Sequence, residues 1–174
     1  MRLKKLFFII FILGTTINAQ ESKLKFHSIS GGIGLTGSSS NITDGFGGFV
    51  AALDIATTSN SNLFSIFIET GSQSLIISEE NYRQINLTYG REWSLNDLFS
   101  LELHGGFGYF KWDTEVFSLT NMNVKQSENT IGFPIRLKLI FNFSNQFGLG
   151  LNPNLNVNSL ANTYSINLTG RYKF

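Results

Sequence analysis

Residues 99–110, FSLELHGGFGYF, alternate between two kinds of side chain. One set is apolar except for one glycine, whereas the other set combines Glu102, His104 and Phe110 with small residues. A repeat of two residues places successive side chains on opposite faces of a β-strand. The stretch therefore predicts a strand with one apolar face and one crowded, largely polar face.

The same alternation recurs after residue 20, and no sustained helical period of three to four residues accompanies it. It predicts eight strands, at residues 23–35, 49–57, 63–71, 82–93, 99–110, 131–140, 147–157 and 164–174. The first strand changes parity between Phe26 and Ile29, which indicates a β-bulge. An even number of antiparallel strands is typical of bacterial membrane barrels.

The predicted connections differ in length between the two ends of the strands. Residues 58–62, 94–97 and 142–146 form short, turn-rich links. Residues 36–46, 72–81 and 111–128 form longer links, and residues 158–162 form a modest one. Short turns at one end and longer loops at the other are typical of outer-membrane barrels, whose short turns face the periplasm.

The first 19 residues have the layout of a secretory signal peptide. Arg2, Lys4 and Lys5 precede an apolar run at residues 6–13, which is too short to span a membrane as a helix. We expect cleavage after Ala19, so that residues 20–174 form one barrel domain. The mature chain then holds 10 basic and 12 acidic residues, and it has no cysteine with which to form a disulfide.

Composition excludes several classes of protein. Charged residues make up 14% of the chain and aromatic residues another 14%, whereas disordered chains are rich in charge and poor in aromatics. The near balance of basic and acidic residues leaves no excess to neutralise the phosphates of a nucleic acid. The absence of cysteine excludes thiolate metal and redox sites.

The polar face of the predicted strands favours a membrane barrel over a soluble one. A soluble barrel would place many charged residues on its polar face, but here that face is mostly Gly, Ser, Asn and Thr with isolated charges. An eight-stranded barrel is only just wide enough for side chains to fill its interior. The polar face is therefore predicted to line a narrow lumen.

The isolated charges sort along the chain by sign. Acids lie on the second to fifth predicted strands and bases on the sixth and eighth, while Lys25 and His27 lie on the first. Closing the sheet brings the two sets face to face, so we predict an ion-pair network that plugs the lumen. Its members are Asp54, Glu69, Glu92, Glu102, Arg136, Lys138, Arg171 and Lys173. A selective conduit lined by the same charges is the alternative.

Aromatic residues lie near both ends of the predicted strands, as in the two interfacial girdles of a membrane barrel. Near the short turns these are Trp93, Phe99, Phe147, Tyr172 and Phe174, and near the long loops Tyr82, Tyr109 and Tyr164. Arg91 is predicted to face outward beside Trp93, where its aliphatic stem can extend to the interface.

The chain resembles small eight-stranded outer-membrane β-barrel proteins of Gram-negative bacteria, in particular the porin-like barrels of Bacteroidetes. The resemblance rests on a signal peptide that ends at Ala19, eight amphipathic strands, and a last strand that finishes Tyr172–Lys173–Phe174. It implies that the barrel-assembly machinery reads an alternating signal in that strand. The residues of this assembly signal are Ile166, Leu168, Tyr172 and Phe174.

The sequence indicates no catalytic, cofactor or metal site. His27 and His104 lack the spacing of a zinc site and are expected to be polar residues of the lumen. Ser100, Glu102 and His104 share one strand face, but the rise of ~6.6 Å between alternate residues is too long for most short side chains to bridge. We therefore expect that the protein is not an enzyme.

The predicted fold is an all-β, eight-stranded antiparallel up-and-down transmembrane barrel, located in a bacterial outer membrane. We expect a monomer with a structural or surface-interaction role. Its expected partners are outer-membrane lipid, the barrel-assembly machinery and an extracellular partner reached by the loops, above all residues 111–128. The alternatives are a passive pore for small or hydrophobic solutes, a secreted soluble barrel that binds a lipophilic ligand, and a lipid-modifying enzyme.

Overall fold

Alternating side chains produce eight long strands in the computed structural model, which describes residues 24–40, 44–74, 78–116 and 124–174. The strands are β1 (Lys25–Ser40), β2 (Asp44–Ser59), β3 (Asn62–Ser74), β4 (Ser78–Ser94), β5 (Phe99–Val116), β6 (Val124–Asn142), β7 (Phe147–Val157) and β8 (Ala161–Lys173). The predicted signal peptide, residues 1–19, lies outside the described residues. Within the described ranges, no helix is long and apolar enough to span a bilayer.

The eight strands form a closed antiparallel barrel in which each strand pairs with its neighbours in sequence. β1 also pairs with β8, in a register that runs from Ser28 opposite Lys173 to Ser40 opposite Ala161. This pairing leaves no sheet edge, which is how a β-structure satisfies its backbone hydrogen bonds in hydrocarbon. The predicted fold class is confirmed.

All eight predicted strands are present, but most of them extend further toward the long-loop end. The predicted loop at residues 111–128 is wrong in its extent, because β5 continues to Val116 and β6 begins at Val124. The predicted links at residues 36–46 and 72–81 shrink in the same way, and only residues 158–160 separate β7 from β8. Backbone pairing continues beyond the apolar segment, where the outward side chains are polar and the alternation fades.

The predicted bulge in β1 is confirmed. Its pairing with β2 shifts between Phe26 and Ser28, so that His27 and Ser28 are both buried while Phe26 and Ile29 are both exposed. Lys25 corrects the sequence interpretation, which placed it inside. It is the first residue of β1, at the end of the barrel, and it is exposed.

The barrel is apolar outside and polar inside. Ile33, Phe49 and Leu168 expose 72%, 75% and 60% of their surface, whereas Asp54 and Arg136 expose 2% and 0%. A soluble protein would reverse this distribution. The predicted alternative of a soluble barrel with an apolar interior is therefore wrong for the described strands.

The apolar belt has sharp limits on β5 and β6. Its outward side chains on β5 run from Phe99 to Tyr109, and the next outward residue is Lys111. Tyr109 pairs with Ile131 on β6, and Lys111 pairs with Asn129. The belt is thus 11 residues long on β5, which matches the ~9–11 tilted residues that cross a bilayer.

The short turns are stabilised locally. Asn60 and Ser61 connect β2 to β3, and both have positive φ, at 51° and 67°. Two such residues characterise the type I′ turn, whose twist matches that of the flanking strands. In the next turn the Asn96 side chain accepts hydrogen bonds from the backbone N–H groups of Leu98 and Phe99.

Ser61→Gly should stabilise the barrel, because a left-handed conformation strains serine and does not strain glycine. We expect the free energy of unfolding, measured by urea titration in vesicles, to rise by about 0.5–1 kcal/mol. Asn145→Gly, in the exposed β6–β7 turn, is the control, since Asn145 does not have a positive φ. An equal increase in the free energy of unfolding for both variants would contradict the assignment of a type I′ turn.

Candidate functional site

The candidate site is the lumen, and its short-turn half is occupied by charged side chains. β2 contributes Asp54, which faces two cations from β6. Arg136 Nη2 lies 3.2 Å from one carboxylate oxygen of Asp54, and Lys138 Nζ contacts the other. Arg136 Nη2 also donates to the hydroxyls of Ser65 at 3.0 Å and Thr88 at 2.9 Å. The Arg136 guanidinium stacks 4.0 Å above the ring of Phe67, which also points into the lumen.

The charges continue from Lys138 across the lumen to β8. Lys138 Nζ lies 3.3 Å from Glu102, whose other oxygen accepts from Arg171 Nη1 at 2.7 Å. The same Arg171 nitrogen lies 3.1 Å from Glu92. Lys173 Nζ closes the series, 3.1 Å from Glu92. The result is an unbroken series of alternating charge, which we call the charge chain: Arg136, Asp54, Lys138, Glu102, Arg171, Glu92 and Lys173.

Seven of the eight predicted network residues thus lie together, with acids from β2, β4 and β5 facing bases from β6 and β8. Glu69 is the exception. Within the described part of the chain it makes no ion pair and instead accepts five hydrogen bonds from neutral groups, at 2.8–3.2 Å. The donors are Tyr82, Gln84, Asn154, Ser165 and Asn167.

Amide side chains extend this second layer around Glu69. Gln84 Oε1 accepts from Asn86 Nδ2 at 2.8 Å and from Asn156 Nδ2. Both asparagines are fully buried. We call Glu69, Asn86, Asn156 and the four donors to Glu69 other than Tyr82 the amide layer. It lies between the charge chain and the long-loop end, and its donors supply hydrogen bonds to the buried oxygens of Glu69 and Gln84.

An aromatic layer covers the amide layer on the long-loop side. The rings of Tyr82, Phe110 and Trp112 stack on one another, with centroids 5.8–6.4 Å apart and interplanar angles of 11–19°. Val50 and Ala161 pack against them from β2 and β8. The prediction that Tyr82 belongs to an outer girdle is therefore wrong. Its hydroxyl donates to Glu69 at 2.9 Å, a buried partner that the outer surface does not offer.

Two glycines make room for these inward side chains. A Cβ atom at Gly71 would overlap the ring of Tyr82, and one at Gly90 would lie 2.6 Å from Nδ1 of His104. Both glycines face the lumen on strands next to the ring that they accommodate. Neither has a positive φ, so close approach accounts for glycine at these positions.

Ser100 and His104, which share one face of β5, do not pair as a nucleophile and its base. His104 Nε2 lies 2.9 Å from Glu102, which corrects the expectation that residues two apart on a strand are too distant, because both side chains are long. Ser100 Oγ instead contacts Arg171 and Asn142. A serine nucleophile needs a base within hydrogen-bonding distance of its hydroxyl, and His104 is not the partner of Ser100.

One group of side chains has the chemistry of a metal site. The ligand atoms of His27, Glu92 and Glu102 all lie within 4.8 Å of one another. The Arg171 guanidinium contacts both carboxylates of this trio, and Lys173 contacts Glu92. These cations already compensate the negative charge that would attract a divalent ion, so the structure assigns the two carboxylates to the charge chain, with His27 beside them.

The outer surface carries the aromatic residues near the short turns as predicted. On β7 and β8, Phe147 meets Tyr172 edge to face at 5.1 Å, and Tyr172 meets Phe174 at 5.1 Å. Phe174 also contacts Phe26 of β1, across the seam at which the barrel closes. Ile166 and Leu168 of the predicted assembly signal face outward on the same strand.

Fold and lumen together define the class of the protein: a closed, eight-stranded antiparallel β-barrel with an apolar exterior and a polar interior, which is the architecture of small outer-membrane barrels. No protein-family model matches the sequence, and no curated protein is significantly similar to it.

Solved structures of outer-membrane barrels share this fold. Neisserial surface protein A is 11% identical, with a TM-score of 0.71 over 85% of this chain and 97% of that protein. The attachment invasion locus protein Ail of Yersinia pestis is 15% identical, with a TM-score of 0.61 over 86% and 99%. The N-terminal β-barrel domain of Pseudomonas aeruginosa OprF is 8% identical, with a TM-score of 0.56 over 87% and 100%. The TM-scores show a shared fold, and at such low identities the likeness extends to the fold alone.

Arg136→Ala should lower the heat resistance of the folded barrel. The substitution removes one cation from Asp54, the hydrogen bonds to two buried hydroxyls and the stack on Phe67. Breaking a buried ion pair costs about 3–5 kcal/mol. We expect the folded band to convert to the unfolded mobility at a clearly lower temperature during electrophoresis in detergent.

Lys125→Ala provides the contrasting variant. Lys125 pairs with Glu115 at 3.0 Å, but 74% of its side chain is exposed. An exposed pair contributes about 0–1 kcal/mol, so the transition temperature should hardly change. If Arg136→Ala behaves like Lys125→Ala, the charge chain does not stabilise the barrel.

Proposed function

We propose that this protein is an integral outer-membrane barrel with a closed lumen, and that it acts through its structure and its surface rather than by transport or catalysis. The observation that carries the proposal is the filling of the lumen by three successive layers. The charge chain, the amide layer and the aromatic layer follow one another from the short turns to the long loops.

Each layer opposes the passage of solutes for a different reason. The charge chain crosses the lumen from β6 to β8 through direct contacts, so an entering ion would have to separate paired charges. The amide layer fills its level of the lumen with side chains hydrogen-bonded to Glu69 and Gln84, which a passing solute would have to displace. The aromatic layer presents stacked apolar rings, and an apolar constriction disfavours water and ions. The three together support a plug rather than a channel.

The outward-projecting end of the β5–β6 hairpin supports a role in surface contacts. Beyond Tyr109 and Ile131 its outward side chains are polar, and they form ion pairs between Lys111 and Asp113 and between Glu115 and Lys125. This part of the hairpin stands above the apolar belt, where an extracellular partner would meet it. The Ail protein, with the same fold, is named for attachment and invasion, which is consistent with a contact role for this architecture.

The same proposal covers biogenesis. We infer export by the predicted signal peptide, recognition of Ile166, Leu168, Tyr172 and Phe174 by the barrel-assembly machinery, and a monomeric state within outer-membrane lipid. The outward position of these residues on the last strand supports the recognition, since a partner can reach them before the barrel closes. An origin in Bacteroidetes stays a prediction from the sequence.

A passive pore is the second candidate, because charged and polar residues line the lumen. Planar-bilayer recording separates the two functions. We expect the purified protein to produce no stepwise conductance under conditions in which a general porin, added to the same bilayer, produces clear steps. Regular conductance steps from the wild-type protein would overturn the plug and establish the pore.

Trp112 provides an independent readout of the closed lumen. It lies inside the barrel with 8% of its surface exposed, whereas Trp93 is on the outside, and the chain has two tryptophans. In a Trp93→Phe variant all tryptophan fluorescence comes from Trp112. We expect acrylamide to quench it several-fold less in the folded barrel than after unfolding in urea. Equal quenching in both states would show that solutes of the size of acrylamide enter the lumen freely.

A further inference from the structure

The outer wall of the barrel has a furrow at Gly105. This residue faces outward between β4 and β6, where it pairs with Tyr89 on one side and Ile135 on the other. A Cβ atom placed there would meet no heavy atom within 4 Å. Two adjoining cavities, of about 650 Å³ and 430 Å³, share Tyr89 and Gly105 in their linings.

The lining of the furrow is almost entirely apolar. Leu87 and Phe107 border it toward the long loops, Tyr89 flanks Gly105, and Leu103 and Trp93 border it toward the short turns. Their exposed surfaces face the space that the bilayer occupies. A glycine among large apolar neighbours thus leaves a trough that extends from β5 across β4 to Phe64 and Ile66 of β3. Such a trough accommodates an acyl chain by van der Waals contact.

The positively charged side chain of Arg91 lies at the short-turn end of the furrow. Arg91 lies two residues beyond Tyr89 on β4, faces outward and is exposed. It lines the smaller cavity together with Trp93. Among the described residues, none forms an ion pair with Arg91, and its neighbour Glu92 faces the lumen, where it binds Arg171 and Lys173. The positive charge is therefore available to a group outside the protein.

We propose that this furrow is a binding site for one anionic phospholipid of the inner leaflet, with an acyl chain against Gly105 and the phosphate on Arg91. The inference rests on the proposed outer-membrane placement, since short turns of such barrels face the periplasm and hence the inner leaflet. Guanidinium groups pair with phosphate through two parallel hydrogen bonds, and Trp93 lies at the level where aromatic rings meet lipid headgroups.

Trp93 is the reporter for the test. In a Trp112→Phe variant all tryptophan fluorescence comes from Trp93, which borders the furrow beside Arg91. The folded protein is placed in phosphatidylcholine vesicles that contain a small fraction of brominated phosphatidylglycerol or brominated phosphatidylcholine. Bromine quenches tryptophan on contact, so the ratio of the two quenching efficiencies measures the preference for the anionic lipid. We expect a preference of about three- to fivefold.

Two substitutions test the two parts of the site separately, and a third substitution serves as the control. Arg91→Gln should reduce the preference to about one. Gly105→Leu should fill the furrow and lower the quenching by both brominated lipids, while Arg91 stays in place. Arg83→Gln removes another exposed, outward arginine from the same strand, at its long-loop end, and should leave the preference unchanged.

The outcomes distinguish this site from the function on which it rests. If the protein does not enter vesicles, as shown by no heat-modifiable band and no quenching by either lipid, both the membrane placement and the site are wrong. If it enters and the two lipids quench equally, only the lipid site is overturned. An effect of Arg83→Gln equal to that of Arg91→Gln would indicate general attraction by surface charge and would also overturn the site.

Discussion

The hydrogen bonds between β1 and β8 are the constraint on which the rest of the structure depends. A strand in hydrocarbon cannot leave its N–H and C=O groups unpaired, because each unpaired group costs several kcal/mol. Pairing from Ser28 to Ser40 along β8 removes the last two free edges of the sheet. Closure after eight strands also fixes the width of the barrel, which leaves an interior that side chains alone can fill. The exterior must be apolar and the interior must be filled.

The three layers of the lumen solve this filling problem with different chemistry. Large charged groups can be buried together where their signs alternate, as they do between Asp54 and Lys173 in the charge chain. A lone carboxylate needs another solution, and Glu69 finds it in five neutral donors. The aromatic layer needs only contact and shape, and Gly71 supplies the space that the ring of Tyr82 occupies.

Sequence alone predicts those features that depend on parity and on order along the chain. Strand number, the bulge beside His27 and the facing of acids toward bases all follow from which residues alternate and in what sequence they occur. Loop extent was not predictable in this way, because backbone pairing continues through residues 111–116 and 124–128 after the apolar alternation stops. Hydrogen bonding does not require an apolar face.

Positions within the lumen were harder to predict for a physical reason. The alternation of side chains predicts whether a residue faces inward. Which residues it contacts across the lumen depends on the stagger between strands, and the sequence does not show this stagger. Glu69 was therefore grouped with the other acids, although its level in the barrel is that of amides and hydroxyls. Tyr82 was assigned to the surface because tyrosine at a strand end usually lies at a membrane interface. Its even spacing from Gln84, another inward residue, indicates instead that Tyr82 faces the lumen.

The charge chain has a consequence beyond the stability of each pair. Buried ion pairs are weak evidence of net stabilisation, since desolvation offsets much of the attraction. These ion pairs have a larger effect on the register of the strands than on net stability. A one-residue slip of β6 would turn Arg136 and Lys138 toward lipid, where a cation at mid-depth costs about 2–4 kcal/mol. It would also leave Asp54 buried without either of its cations. Apolar side chains are compatible with contact to either lipid or protein, so they discriminate weakly between registers. The inward charges therefore distinguish the native strand register from registers shifted by one residue.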